Sequence, residues 1–283
     1  HQLEALVKGQ AGQSYVVTTG TGSGKSLSFF IPIIDRIIKA KEEGGAPRTR
    51  AIVIYPMNAL ANSQLEELDK FLHGYPDDQK PFTVARYTGQ ESKAERDAIA
   101  NNPPDILLTN FMMAELLLTR QDALDTKVID NASGLEFIVL DELHTYRGRQ
   151  GADVAMLVRR VRQRLAGSSK LICIGTSATM SSADDDSERN RAVAEVGSRL
   201  FGVPVSELEI LQRAIGNLLA VDVFGFTSHL AEVYAKVSWV FGMKRLPQLE
   251  KLNTRQSASP MLDAGSVEEE ELTPPIRAEI ERL

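Results

Sequence analysis

Between Thr18 and Ser26 the chain reads TTGTGSGKS, a glycine-rich run that ends in a lysine and a hydroxyl. Gly20, Gly22 and Gly24 permit a backbone that turns successive N–H groups toward one point, the geometry of an anion nest. An apolar run leads into the loop and a helical pattern leads out of it, so a helix would add its positive N-terminal end. The chemistry this suits is the binding of nucleotide phosphates. Thr21, Gly22, Ser23 and Gly24 would form the cradle, Lys25 would reach the β- and γ-phosphates, and the Ser26 hydroxyl would ligate Mg²⁺. Thr19 stands where the strict GxxxxGK[ST] pattern has glycine.

A second stretch, FIVLDELH, ends an apolar run in two carboxylates, Asp141 and Glu142. Alone, a strand-end Asp-Glu is an ordinary solvated turn. With a phosphate loop earlier in the chain it becomes the second half of an ATP site. Asp141 would hold Mg²⁺, through water, and Glu142 would orient and deprotonate the attacking water.

The elements that must position these groups are visible as patterns. Six short runs read as strands: Tyr15–Thr19, Ala51–Tyr55, Phe82–Thr88, Asp105–Thr109, Phe137–Asp141 and Lys170–Gly175. Several are apolar throughout, as suits central strands covered on both faces. Helical periodicity covers Leu27–Lys39, Leu60–Leu72 and Asp153–Leu165, and Pro32 inside the first predicts a kink or a late start. Strand–helix alternation of this kind implies an α/β fold, a parallel sheet flanked by helices.

After Phe201 the pattern changes. Ser206–Val221 and Ser228–Phe241 read as helices, with no further clear strand. The expected organisation is an ATP-binding domain over 1–202, a helical segment over 203–252, a linker with an acidic loop over 253–274, and the start of another helix over 275–283.

Composition bounds the remaining possibilities. Of 283 residues, 43% are hydrophobic and 25% charged, the profile of a soluble globular protein. No apolar run is long enough for a membrane span. Cys173 is the only cysteine, so no internal disulfide can form, and a reducing, cytoplasmic setting is expected. Four scattered histidines beside one thiol argue against a zinc cluster. A formal net charge of −6 argues against coating nucleic acid by bulk charge, but leaves room for a local groove. The chain begins at His1 without a signal-like stretch and is read as a piece of a larger polypeptide.

Together, TGTGSGKS, DELH and the GTSAT of Gly175–Thr179 resemble motifs I, II and III of superfamily 2 DEAD/DEAH-box helicases, in order and spacing, over about the first two hundred residues. The resemblance implies a RecA-like P-loop domain. It also implies that His144, Ser177 and Thr179 couple the nucleotide to the rest of the motor, and that Gln2 reads adenine. YPMNALANSQ (Tyr55–Gln64) is similar to motif Ia, RYTGQE (Arg86–Glu91) to the Thr-Gly motif, and LLTNFMMAELL (Leu107–Leu117) to the next strand-end motif. By that resemblance, Pro56, Asn58, Gln64, Thr88, Gly89, Thr109 and Asn110 line a single-stranded tracking strand of DNA and hold its phosphates. Such contacts carry no base information and need few cationic side chains.

DELHTYRGRQGADVAMLVRRVRQRL (Asp141–Leu165), with YPMNALANSQ, is similar to mitomycin-repair-type helicases and, closest, to the helicase subunit of the DISARM phage-defence system. That implies a defence-complex partner protein. Within the block, RRVRQR (Arg159–Arg164) reads as a solvated helix face, because its arginines fall on different sides of the apolar stripe. Motors of this superfamily close two RecA-like domains over ATP. No second strand–helix array and no arginine-finger segment follows Met180, so the second domain is expected on a missing segment or another subunit.

Overall fold

The computed structural model describes residues 2–18, 25–76, 79–146, 148–167, 170–177, 186–205 and 210–212. The apolar runs become strands at Tyr15–Thr18 (β1), Ala51–Tyr55 (β2), Val84–Tyr87 (β3), Ile106–Asn110 (β4), Phe137–Leu140 (β5) and Ile172–Ser177 (β6), with a further strand at Ile210–Gln212 (β7). They form one seven-stranded sheet in the order β3-β4-β2-β5-β6-β1-β7, and every pairing is parallel.

Alternation along each strand divides the core in two. Ile52, Ile54, Ile138 and Leu140 face one layer, and Val53, Tyr55, Phe137 and Val139 face the other. Helices α1 (Gln2–Gln10), α2 (Lys25–Glu42) and α3 (Asn58–Leu72) cover the second face. Helices α4 (Lys93–Asn101), α5 (Phe111–Thr119), α6 (Ala123–Asp130), α7 (Gly148–Val161) and α8 (Asp186–Phe201) cover the first. The fold is therefore the parallel sheet flanked by helices that the strand–helix alternation implied, in the RecA-like form that the motif resemblance implied.

Three expectations need correction. First, a helix was expected from Ser206, but Ile210–Gln212 adds to the edge of β1 in parallel, with Val16 opposite Ile210. Three residues are too few to show a period, so the open edge of β1 selects the strand. The sheet thus extends past the expected boundary at 202, and the segments expected beyond 212 lie outside the described residues.

Second, Pro32 does not delay its helix, which runs through from Lys25 to Glu42. Proline removes the N–H that would have bonded to the Ser28 carbonyl one turn back. The buried Tyr15 hydroxyl on β1 donates to that carbonyl instead, at 2.7 Å. Gly9 of α1 packs so closely on Pro32 that an added Cβ would lie 2.5 Å from the proline ring.

Third, the arginines of RRVRQR do more than face solvent. Arg159 and Arg162 donate to the carbonyls that end α8, at Arg199, Phe201 and Gly202. Arg160 pairs with Glu115, and Arg164 donates to the Leu118 carbonyl at 2.9 Å. Exposed carbonyls at helix ends and a nearby carboxylate are what guanidinium forks satisfy best, and a helical wheel shows neither.

Candidate functional site

The chemistry-bearing residues collect at the carboxyl ends of β1, β5 and β6, where ligands sit in open α/β sheets. Because β6 lies between β5 and β1, the strand that carries GTSAT separates the phosphate-loop strand from the DELH strand. Lys25, the first described residue of α2, reaches Glu142 with Nζ 3.4 Å from Oε1. His144 Nδ1 lies 3.2 Å from the other oxygen of Glu142. Glu142 is thus bracketed by Lys25 on one side and His144 on the other.

Asp141 and Glu142 are held by a residue that sequence reasoning missed, Thr176. Its hydroxyl accepts the N–H of Glu142 at 3.1 Å and donates to Oδ1 of Asp141. Strand period contained the signal: Ile172, Ile174 and Thr176 share the face on which Val139 precedes Asp141. The Asp141 carboxyl is raised above its ordinary value by burial, with the neighbouring Glu142 adding to the rise. Thr176 and Lys25 oppose that shift.

Glu142 has φ 53°, the one non-glycine residue among those described in the left-handed region. Such a conformation persists where surrounding structure enforces it. Here it turns the chain from β5 into the short 3₁₀ turn Leu143–Thr145, where buried Leu143 lies under Gly175. The hydroxyls of Thr18, Tyr55 and Tyr146 are buried without a partner among the described residues. Burial raises both tyrosines well above the ordinary phenol value, and the charge of Asp141 raises them further. Ordered solvent or a ligand would be needed to satisfy them.

Other expected site residues are placed as follows. Ser26 sits in the first turn of α2, and Gln2 begins α1 on the same face of the sheet. Ser177 is still on β6, opposite Thr18, rather than in a turn that ends it. Thr21, Gly22, Ser23, Gly24 and Thr179 lie outside the described residues. No group of three or more His, Cys, Asp or Glu side chains able to hold a metal ion occurs among the described residues.

At the ends of β2, β3 and β4 lie the residues expected against a nucleic-acid strand. Pro56, Asn58 and Asn110 share one hollow. Asn110 ties three segments together: its amide donates to Asn58 at 2.5 Å and to the Thr88 carbonyl at 3.1 Å, while its oxygen caps α5 at Met113. Both amide hydrogens are therefore spent inside the protein. Met57, the N-cap of helix α3, makes no side-chain cap hydrogen bond, and Met57 and Asn58 line the hollow. Gln64 lies farther along α3, about 9 Å from its start by helix rise.

Three residues of this set, Thr109, Thr88 and Gly89, make contacts inside the protein. Thr109 is fully buried, and its hydroxyl donates to the Tyr87 carbonyl at 2.6 Å, so it faces inward rather than toward a strand. The N–H groups of Thr88 and Gly89 are already engaged by the carboxylate of Glu91, each at 2.8 Å. Arg86 pairs with the other Glu91 oxygen at 2.8 Å. The spacing Thr-x-x-Glu, a capping-box pattern, was the available signal for Glu91. A true capping box follows at once, between Ser92 and Glu95.

Comparison with known proteins gives this geometry a lineage. The DEAD/DEAH box helicase family matches residues 1–186. The chain is 33% identical over 207 residues to the "Uncharacterized ATP-dependent helicase YprA" of Bacillus subtilis (strain 168), covering 72% of this chain and 24% of YprA. It is 26% identical over 293 residues to the "Druantia protein DruE" of Escherichia coli (strain UMEA 4076-1), covering 65% of this chain and 16% of DruE. Among solved structures, the DUF1998 helicase MrfA bound to DNA and AMPPNP aligns with a TM-score of 0.57 at 26% identity. That alignment covers 84% of this chain and 32% of that one. The chain thus spans a third or less of each of these relatives. With the family matched over well more than half of its length, the chain belongs to the DEAD/DEAH box helicases.

Proposed function

We propose that this chain is the first RecA-like half of an ATP-dependent DNA helicase or translocase motor. The observation that carries the reading is the bracket at the sheet edge: Lys25 on Glu142, with Thr176 joining Glu142 to Asp141. Without a nucleotide, Lys25 neutralises Glu142. With a nucleotide bound, Lys25 would reach its γ-phosphate and Glu142, beside His144, would orient and deprotonate the attacking water. Ser26 and Asp141 would hold a Mg²⁺ ion, which when bound supplies charge neutralisation at the phosphates. Thr176 places β6 in direct touch with the carboxylates. A change at the phosphates is thereby passed to Ser177 and onward to the strand-contact edge.

DNA is the favoured polymer because the MrfA structure that this fold resembles contains DNA. The uncapped start of α3 suits a phosphate of a single tracking strand. Stepping would come from closure against a second RecA-like domain, on another segment or subunit, which also supplies the arginine finger. The local resemblance to DISARM and mitomycin-repair-type helicases supports work in a defence or DNA-repair system, with a partner protein in the former. The buried lone Cys173 and the lack of a membrane-crossing helix among the described residues suit a cytoplasmic setting.

The test is ATP turnover by this chain with and without single-stranded DNA, beside Lys25→Ala. Nucleotide binding that needs Lys25, with very slow turnover restored by the second domain, is the expected result. Fast DNA-stimulated turnover by the chain alone would contradict the half-motor reading. Turnover by the completed protein without strand displacement or movement would favour an ATP-gated DNA-binding or loading subunit.

A further inference from the structure

Tyr55 ends β2 at the nucleotide edge with its side chain fully buried. Ile54 lies opposite Leu140 on β5, and Leu140 lies opposite Gly175 on β6. One residue further along, the same register sets Tyr55, Asp141 and Thr176 in a single row across three strands. The N–H of Asp141 donates to the Ile54 carbonyl at 3.0 Å, so the ladder holds up to that row. Val53 and Tyr55 share a sheet face with Val139, and Asp141, two residues past Val139, falls on it too.

Thr176 flanks Asp141 on one side and is bonded to it. Tyr55 flanks it on the other, and its hydroxyl is buried without a partner among the described residues. Tyr55 belongs to an apolar layer that includes Phe29, Ala61 and Val139. That layer needs only the ring. The O–H adds a desolvation cost unless an acceptor meets it. Tyr146, whose hydroxyl is also buried and unpartnered among the described residues, belongs to the opposite layer and lies outside this row.

The acceptor whose charge reaches Tyr55 is Asp141. Burial first, and then that carboxylate, hold the phenol well above its ordinary value, so it stays protonated and keeps its O–H. A phenol that donates toward a carboxylate makes a charge-assisted bond, among the stronger kinds a protein forms. No direct bond joins the two. An ordered water bridges such a pair where polar groups converge on it, with little loss of strength.

We propose that Tyr55 is a positioning residue for Asp141: through one ordered water, its hydroxyl holds the carboxylate from the β2 side as Thr176 holds it from the β6 side. The consequence for nucleotide rests on the ATP reading above, in which Asp141 would hold Mg²⁺. Tyr55 thereby serves the nucleotide site from a segment, Tyr55–Gln64, that the motif resemblance assigns only to nucleic acid.

Tyr55→Phe tests the proposal, made in the whole chain alone and together with Asp141→Asn. AMPPNP is titrated by calorimetry with and without Mg²⁺, and urea unfolding is followed without nucleotide. Tyr55→Phe should weaken AMPPNP binding about tenfold in Mg²⁺, the scale of one hydrogen bond to a charged group, and leave Mg²⁺-free binding unchanged. Its urea midpoint should fall, and that fall should shrink in the Asp141→Asn background, where the bond is no longer charge-assisted. A side chain that only fills the layer gives the opposite sign, because losing an idle buried hydroxyl leaves stability equal or higher. Equal or higher stability, unchanged binding in Mg²⁺, or a fall that Asp141→Asn leaves intact overturns the proposal. If the unaltered chain binds no AMPPNP in either condition, the ATP reading fails, and the unfolding cycle still decides whether Tyr55 holds Asp141.

Discussion

The hydroxyl of Thr176 accepts the backbone N–H of Glu142 at 3.1 Å, so the strand that carries GTSAT grips the end of the DELH strand directly. The same hydroxyl gives its hydrogen to Asp141. One small side chain therefore fixes the carboxylate of Asp141 and the backbone of Glu142. It does so from the middle of the nucleotide edge, because β6 separates β1 from β5.

Thr176→Val keeps the shape of the side chain and removes both bonds. Losing the partner of a buried charged group costs about 1–3 kcal/mol. The expected outcome is Mg²⁺-dependent ATP affinity lower by about tenfold, the low-to-middle part of that range, with Thr176→Ser close to the unaltered protein. Calorimetric titration with and without Mg²⁺ checks it. Equal loss in both conditions would mean that Thr176 acts on the fold alone.

Gly175 leaves no room for a side chain. A Cβ there would lie 2.5 Å from Cδ1 of Leu143 and 3.1 Å from the ring of Phe201. Gly175→Ala must push Leu143, and Leu143 follows Glu142 directly. Overpacking of this sort costs about 1–3 kcal/mol. Both the melting temperature and nucleotide affinity should fall, and a drop in the first without the second would show that the 3₁₀ turn absorbs the strain before it reaches Glu142.

Tyr15 and Pro32 form a coupled pair through the Ser28 carbonyl. Tyr15→Phe leaves that buried carbonyl unpaired and should destabilise by about 1–3 kcal/mol. Pro32→Ala supplies a helix N–H for the same carbonyl, so it should cost little alone and rescue much of the loss in Tyr15→Phe. Urea unfolding of the four proteins closes the cycle. Simple additivity would show that the two residues do not share the carbonyl.

Glu91 gives a pH test. Burial alone would raise its carboxyl, but the N–H groups of Thr88 and Glu91 itself, with Arg86, outweigh that and hold it below the ordinary value. A carboxyl whose folded value is depressed binds fewer protons in the folded state, so its stabilisation is complete above the ordinary carboxylate range. It is lost as pH falls through the depressed value. Glu91→Gln should lower the melting temperature by several degrees at neutral pH, a loss of about 1 kcal/mol in a domain of this size. The two melting curves should converge in acid. A gap that persists at low pH would assign the effect to shape rather than charge.

Local order made much of this protein legible before its fold was known. The six longer strands, the helices after β1 and β2, and the choice of Lys25, Asp141 and Glu142 as candidate site residues all follow from period and residue type. Those properties belong to a few neighbouring residues and survive any arrangement of the elements. What depended on tertiary structure was the choice of partners across long stretches of chain. Thr176 matters because β6 inserts between β1 and β5, Ile210–Gln212 becomes a strand because β1 offers an edge, and Thr109 turns inward because Tyr87 lies beside it. Period assigns a face to each residue. Only the packed sheet assigns the neighbour, because that choice is made by burial and hydrogen-bond satisfaction summed over the whole core.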